Sequence, residues 1–229
     1  MAYKVSFKVN DSELMSKLTG KKVILGISVG QEYHESDKLL ATIHLINKLP
    51  IKECVIAVCD SLQKYNIMDC KDFGSSHSQS LIFGDMWIKR NEHIIKMLTK
   101  PNQIIRWDHW LKHKQYPKCK SNIENEYQAN HLYKQAVDET IYKFIKRSSA
   151  KNQKLIQPIL YSRCLEYLLE ECAIVMNLWA EDGYDYIIYP QFMTSAMDKT
   201  REIFVANTHS NKAQWLPLRF KKIQLEERL

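Results

Sequence analysis

Glycine is scarce. Only six occur in 229 residues, and none forms a G-x-G-x-x-G turn after a strand or a Walker A loop, which argues against a dinucleotide or nucleoside triphosphate site. Long apolar runs are missing too. No stretch of about 18 consecutive apolar residues exists, so no membrane-spanning helix is expected. The N-terminal stretch MAYKVSFKVNDSEL lacks the unbroken apolar core of a secretory signal, and the expected location is the cytoplasm. The six cysteines (Cys54, Cys59, Cys70, Cys119, Cys164 and Cys172) contain no C-x-x-C pair and read as free thiols of a reducing compartment, mostly core filler. The eight histidines show no H-E-x-x-H spacing. Neither a metal nor any other cofactor is therefore expected. Internal repeats and low-complexity linkers are absent as well, so residues 1–229 read as a single domain.

A hydrophobic content of 45% is enough for one well-buried core. The formal charge of +7 is unevenly spread. Residues 84–120 carry nine Lys/Arg against three acids, and residues 142–154, YKFIKRSSAKNQK, carry five and none. Such clustering fits either a solvated basic face or a surface for phosphates, on which a polyanion neutralises like charges.

Four short runs rich in Val and Ile predict buried parallel strands: KVILGIS (22–28), CVIAVCD (54–60), NQIIRW (102–107) and YDYIIYP (184–190). They are continuously apolar rather than alternating, as strands covered on both faces should be. Helical spacing lies between them at 36–48, with Ser36 or Asp37 as cap, and at 78–99, 122–147 and 156–180. This rhythm predicts an α/β fold with a Rossmann-like, doubly wound, mainly parallel sheet flanked by helices. Ligands in such a sheet sit beyond the carboxyl ends of the strands, where Ser28, Asp60 and Tyr189 would all stand. After Pro190, EIFVANTH reads equally as a helix end or a strand.

Gly26-Ile27-Ser28-Val29-Gly30 matches the G-x-S-x-G elbow of serine hydrolases. That elbow wants an oxyanion segment upstream and Asp, then His, downstream. Only 25 residues precede Gly26, no H-G-G segment exists, and the triad base would have to be His209. A hydrolase or acyltransferase remains one reading, and a tight turn shaped by Gly26 and Gly30 is another. Further along, Tyr167 and Glu171 are i and i+4 on one helix face, and Ile174 continues that face inward.

Taken in order, GISVGQEY, EYLLEECA and YIIYP resemble the motifs of the tRNA-dependent cyclodipeptide synthases. The likeness extends weakly over most of the chain. Of that family's two subfamilies, one has an asparagine three residues after the serine, where this chain has Gln31. The other, called XYP, follows its second catalytic tyrosine with proline, as Tyr189-Pro190 does here. The resemblance implies a fold like the catalytic domain of class I aminoacyl-tRNA synthetases of the tyrosyl and tryptophanyl type. LMSKLTGKK (14–22) has a superficial likeness to their K-M-S-K-S loop but precedes the first core strand, and no H-I-G-H follows. An already activated ester needs no ATP.

The family chemistry implied is ATP-independent acyl transfer between two aminoacyl-tRNAs, through an aminoacyl-serine and a dipeptidyl-serine, to a 2,5-diketopiperazine, a product of secondary metabolism. Ser28 would be the nucleophile, Tyr167 and Glu171 would hold and deprotonate the amino group, and Tyr189 would assist proton transfer. Gly26 would let the backbone approach the aminoacyl group, main-chain N–H groups of Val29–Gln31 would receive the oxyanion, and Gln31 would line the substrate site. The tRNA acceptor arm would lie on a basic stripe of Lys89, His93, Lys96 and Lys100, with Arg90 beside it and Lys112, Lys114, Lys118 and Lys120 extending it. The expected oligomeric state is a monomer. A non-catalytic tRNA-binding module is a third reading, in which replacing Ser28 changes nothing.

Overall fold

The computed structural model describes residues 2–9, 11–67, 72–149 and 157–223. In chain order the elements are β1 (Ala2–Phe7), α1 (Leu14–Lys17), β2 (Lys22–Ile27), a single 3-10 turn (Glu32–His34), α2 (Ser36–Asn47) and β3 (Glu53–Val58). A second 3-10 segment (Ser61–Tyr65) leads to α3 (Phe73–Ile95), β4 (Asn102–Arg106), α4 (Trp107–Leu111), α5 (Tyr116–Ala129) and α6 (His131–Ser149). Then come α7 (Gln157–Cys172), a wide π turn (Ala173–Leu178), α8 (Trp179–Glu181), β5 (Tyr186–Tyr189), α9 (Ser195–Thr200) with its own π turn (Arg201–Val205), and β6 (Gln214–Ile223).

The strands form one sheet in the order β1-β6-β5-β2-β3-β4. All neighbours are parallel except β1 against β6. From β2 the chain winds outward through β3 and β4, then returns to place β5 on the other side of β2. The crevice between β2 and β5 is thus a topological switch point, where doubly wound sheets bind ligands.

The apolar runs of β2, β3 and β5 look continuous, yet each alternates between two cores; β4, expected to be buried, is an edge strand with Asn102, Gln103 and Ile104 exposed. Val23, Leu25 and Ile27 of β2, with Cys54, Ile56 and Val58 of β3, pack under Leu39, Ile43 and Ile46 of α2 and Trp87 of α3. Ile24, Val55, Ala57, Cys59 and Ile187 point the other way, against Ile123, Tyr133, Leu168 and Cys172 of α5–α7. Burying one such aliphatic side chain contributes roughly 1.5–3 kcal/mol, so both faces resist a one-residue slip of register.

Several boundaries differ from the sequence-based expectation, each for a local reason. The helix expected at 122–147 is two. Asn130 breaks it by turning its side-chain oxygen onto the N–H groups of Leu132 (2.9 Å) and Tyr133 (3.2 Å), which caps α6. The helix expected at 78–99 begins at Phe73, because the Asp72 carboxylate accepts from the Ser75 N–H at 2.7 Å, and it ends at Ile95. The cap position of α2 is Glu35 rather than Ser36 or Asp37. EIFVANTH belongs to a helix end, the π turn Arg201–Val205. Strands β1 and β6 give no signal in the sequence, since polar residues interrupt both. Cys70, residues 150–154 of the second basic run and residue 156 of the expected 156–180 helix lie outside the described residues. The other five cysteines are free and buried.

Candidate active site

The alternation that divides the cores also aims the candidate nucleophile. Ser28 follows Ile24 and Gly26 at two-residue steps, and Tyr189 follows Ile187, so both turn to the α7 side of the sheet. There the Ser28 and Tyr189 hydroxyls are 2.8 Å apart, and the Tyr33 hydroxyl is 3.1 Å from that of Tyr189. The Tyr189 ring lies over Gly26, with its Cδ2 3.4 Å from where a β-carbon would stand. Gly26 therefore gives room to Tyr189, a use the motif did not suggest.

The turn after the strand runs Ser28-Val29-Gly30-Gln31 and is closed by the Gln31 N–H to the Ser28 carbonyl at 3.3 Å. Gly30 takes φ +85°, a left-handed value that favours glycine. This accounts for three backbone groups. The Gln31 N–H is spent on the turn, the Gln31 carbonyl accepts from the His34 N–H at 2.9 Å, and the Ser28 N–H donates to His34 Nδ1 at 2.9 Å. Of the loop expected to stabilise an oxyanion, the N–H groups of Val29 and Gly30 remain. The Gln31 side chain is exposed.

On α7, the Tyr167 hydroxyl donates to Glu171 Oε1 at 3.2 Å. The protein surrounds Glu171 apart from a narrow accessible edge. That burial pushes its carboxyl up to about 8, against a smaller opposing effect of the Tyr167 hydrogen bond. Burial also raises Tyr33, Cys59, Tyr167 and Tyr189, and the Glu171 charge adds to each. Glu171 thus stands among these four groups. Among the described residues no cation pairs with it.

The adjacent Glu170 shows the opposite arrangement. It accepts from Lys64 Nζ (2.7 and 2.8 Å), the Tyr65 hydroxyl (2.9 Å) and Trp107 Nε1 (2.9 Å). That carboxylate is saturated and structural. Asp60, the third strand-end candidate, is likewise engaged: it pairs with Arg106 and accepts from the Ser61 N–H. Gly84 of α3 lies so close that a β-carbon would collide with the Asp60 carboxylate. Asp60 is a buried strut rather than a free acid.

The basic residues divide. Lys89, His93 and Lys96 are exposed on one side of α3, but Lys96 pairs with Glu92 at 2.7 Å, and Lys100 lies beyond the helix end. Arg90 is committed to a two-pronged bond with Glu35, which Asn91 also meets at 3.0 Å. Lys112, Lys114 and Lys118 are exposed, whereas Lys120 is held by Glu124 and Glu166. The two strands without a sequence signal supply a second basic surface: in the β1–β6 register Lys4 stands opposite Lys221 and Ser6 opposite Arg219, all exposed. Like charges directly opposite on a ribbon are unfavourable without a counter-charge. Sequence reasoning also left Tyr33 and Cys59 without roles, together with Arg147, whose charge reaches Tyr33. Their parity and proximity follow only from the strand order.

No protein-family model matches this chain, and neither does any curated protein. Among solved structures it is similar to a CDPS, a cyclodipeptide synthase, from Fluoribacter dumoffii, with 33% identity over 97% of this chain and 99% of that one, at a TM-score of 0.92. A cyclodipeptide synthase from Candidatus Glomeribacter gigasporarum bound to Phe-tRNAPhe matches with 14% identity over 97% and 96% of the two chains, at a TM-score of 0.71. The tyrosyl-tRNA synthetase of Archaeoglobus fulgidus, complexed with L-tyrosine, shares the fold at 11% identity over 90% of this chain and 56% of that one, at a TM-score of 0.50.

Proposed function

The chain belongs to the cyclodipeptide synthases, and from that premise we propose that it joins the aminoacyl groups of two aminoacyl-tRNAs into a cyclic dipeptide through acyl-Ser28 intermediates. The observation that carries the residue assignment is a buried carboxylate without a cation, Glu171, beside a serine hydrogen-bonded to a tyrosine. A site built for an ammonium would keep such a carboxyl without a resident counter-charge, protonated while the site is empty and ionised beside the substrate.

In the first step Ser28 Oγ attacks the ester carbonyl, the bond to the ribose oxygen breaks, and the tRNA departs with a proton. Tyr189, in contact with Oγ, and Tyr33 behind it form a hydroxyl path for that proton. The oxyanion sits against the Val29 and Gly30 N–H groups. Glu171 holds the substrate ammonium, accepts a proton from it, and leaves an amine that attacks the next ester. The amine of aminoacyl-Ser28 attacks the ester carbonyl of a second aminoacyl-tRNA, the bond to its ribose oxygen breaks, the second tRNA departs with a proton, and a dipeptidyl-Ser28 is left. Its free amine closes on the Ser28 ester, which releases the diketopiperazine and restores the serine.

Tyr189-Pro190 supports membership of the XYP subfamily. The Ser28 hydroxyl bonds to a phenol rather than an imidazole, while the hydrogen bonds of His209 run through its backbone, to Val205 and Lys212. That arrangement favours acyl transfer to an amine over a Ser-His hydrolase. Phosphates of the acceptor arm would meet Lys89 and its neighbours on α3, the Lys4–Lys221 ribbon, or both. The test is expression in a bacterium with mass spectrometry of the medium. Diketopiperazine is expected from the wild type and not from Ser28→Ala; equal product from both overturns the reading.

A further inference from the structure

His34 is a buried titratable side chain beside the nucleophile to which these acyl-transfer steps assign nothing. It is 1% exposed. Its Nδ1 lies 2.9 Å from the Ser28 N–H and 3.3 Å from the Ser28 carbonyl oxygen. The N–H has no other acceptor among the described residues and must donate, so Nδ1 is the acceptor and the proton sits on Nε2. Nε2 has no hydrogen-bond partner among the described residues. The rings of Tyr33 and Tyr189 flank the imidazole edge-on, at 4.7 and 5.5 Å. Burial keeps the imidazole neutral down to about 3, so it is no general acid or base at working pH.

An unpartnered buried N–H is unfavourable, and a phenyl ring would fill the space without one. What a phenyl ring lacks is the acceptor at Nδ1. The residue is also firmly seated: its carbonyl accepts from Trp87 Nε1 at 2.9 Å, and the next residue, Glu35, is gripped by Arg90 and Asn91. The turn that bears Ser28 is thereby tied through one imidazole nitrogen to helix α3.

We propose that His34 is a positioning residue for the nucleophile: as the Nε2–H tautomer it captures the Ser28 N–H, fixes the Ser28-to-Gln31 turn, and leaves the oxyanion to Val29 and Gly30. The inference rests on the proposed role of Ser28. It gives Arg90 a structural duty in place of the tRNA contact expected from its position in the stripe.

The test measures single-turnover acylation of Ser28 by a labelled aminoacyl-tRNA in wild type, His34→Phe, His34→Asn and His34→Gln. Asn places its oxygen on the atom that Nδ1 occupies, whereas Gln reaches only the Nε2 position. His34→Phe and His34→Gln should acylate about 100-fold more slowly, and His34→Asn within about tenfold of wild type, as misplacement of a reacting group predicts. Imidazole 15N shifts of the wild type should report a bare Nδ1 and a protonated Nε2. Acylation by His34→Phe at the wild-type rate, or a protonated Nδ1, overturns this inference alone. A wild type that is never acylated at Ser28 overturns the proposed function and this inference with it.

Discussion

The hydroxyls of Ser28 and Tyr189 are 2.8 Å apart across 161 residues of chain. The contact exists because β5 docks parallel to β2, with Val23 opposite Tyr186 and Leu25 opposite Ile188. In that register Tyr189 comes level with Gly26, and its ring lies over the glycine so that the hydroxyl reaches Ser28 two residues further on. The Ser28 hydroxyl is therefore met by a phenol from the neighbouring strand, while an imidazole, that of His34, holds the Ser28 N–H.

Removing that phenol has a definite effect. Tyr189→Phe keeps the ring over Gly26 but deletes the bonds to Ser28 and Tyr33. We expect Ser28 acylation to slow by about 10²-fold or more, the usual range for a positioned proton-transfer group. Thermal stability should change little, by about 1 kcal/mol. Quench-flow acylation and thermal melting of the same sample check both halves.

Glu171 links activity and stability with opposite signs. Its carboxyl is raised from 4.5 to about 8 in the folded protein, so the native state binds the extra proton between those values. Stability consequently falls as pH rises from about 4.5 to about 8, while the carboxylate that holds an ammonium becomes populated. Acylation kcat/KM should climb with pH toward a plateau, with its midpoint near 8. Glu171→Gln should abolish product yet melt higher than wild type at pH 8, a gain that disappears at pH 4. Melting curves at the two pH values decide it.

Glu170 next door should behave in the reverse manner. Glu170→Gln leaves Lys64 buried without its counter-charge, and we expect a loss of about 3–5 kcal/mol in urea unfolding. Gly84→Ala should fall in the same class by forcing Asp60 and Arg106 apart. Unfolding midpoints within about 0.5 kcal/mol of wild type would contradict either assignment.

Salt dependence separates the two basic surfaces. Reversing Lys89 and Lys96 to Glu tests α3, and reversing Lys4 and Lys221 tests the β1–β6 ribbon. Each phosphate that is no longer neutralised should flatten the log–log slope of tRNA binding by about 0.7–0.9. Filter binding across a salt series identifies the surface, and a pair with an unchanged slope lies outside the tRNA footprint.

Strands β2, β3 and β5 were legible because their Val and Ile runs are covered on both faces, and β4 because of its short apolar run although it is an exposed edge strand. Ser28, Tyr167, Glu171 and Tyr189 were singled out by the ordered motifs of the family resemblance. What stayed hidden depends on pairing. β1 and β6 each expose polar residues, and they are strands because they pair with each other and β6 also pairs with β5. Asn130 as a helix break, Arg90 as a clamp on Glu35 and Asp60 as the partner of Arg106 are all long-range or capping choices. No periodicity announces them. His34 was invisible for a related reason, since its partner is a backbone N–H and not a side chain.

On the proposed assignment of the site residues, the winding of the sheet also sets when the molecule becomes reactive. Ser28 directly follows a strand made early, but Tyr167, Glu171 and Tyr189 arrive only after some 140 to 160 further residues have been added. Contacts so distant in sequence are late and slow to form. A ribosome-bound or partly folded chain therefore displays its serine without phenol, carboxylate or crevice, and it leaves the surrounding charged tRNAs unspent until the last strands dock.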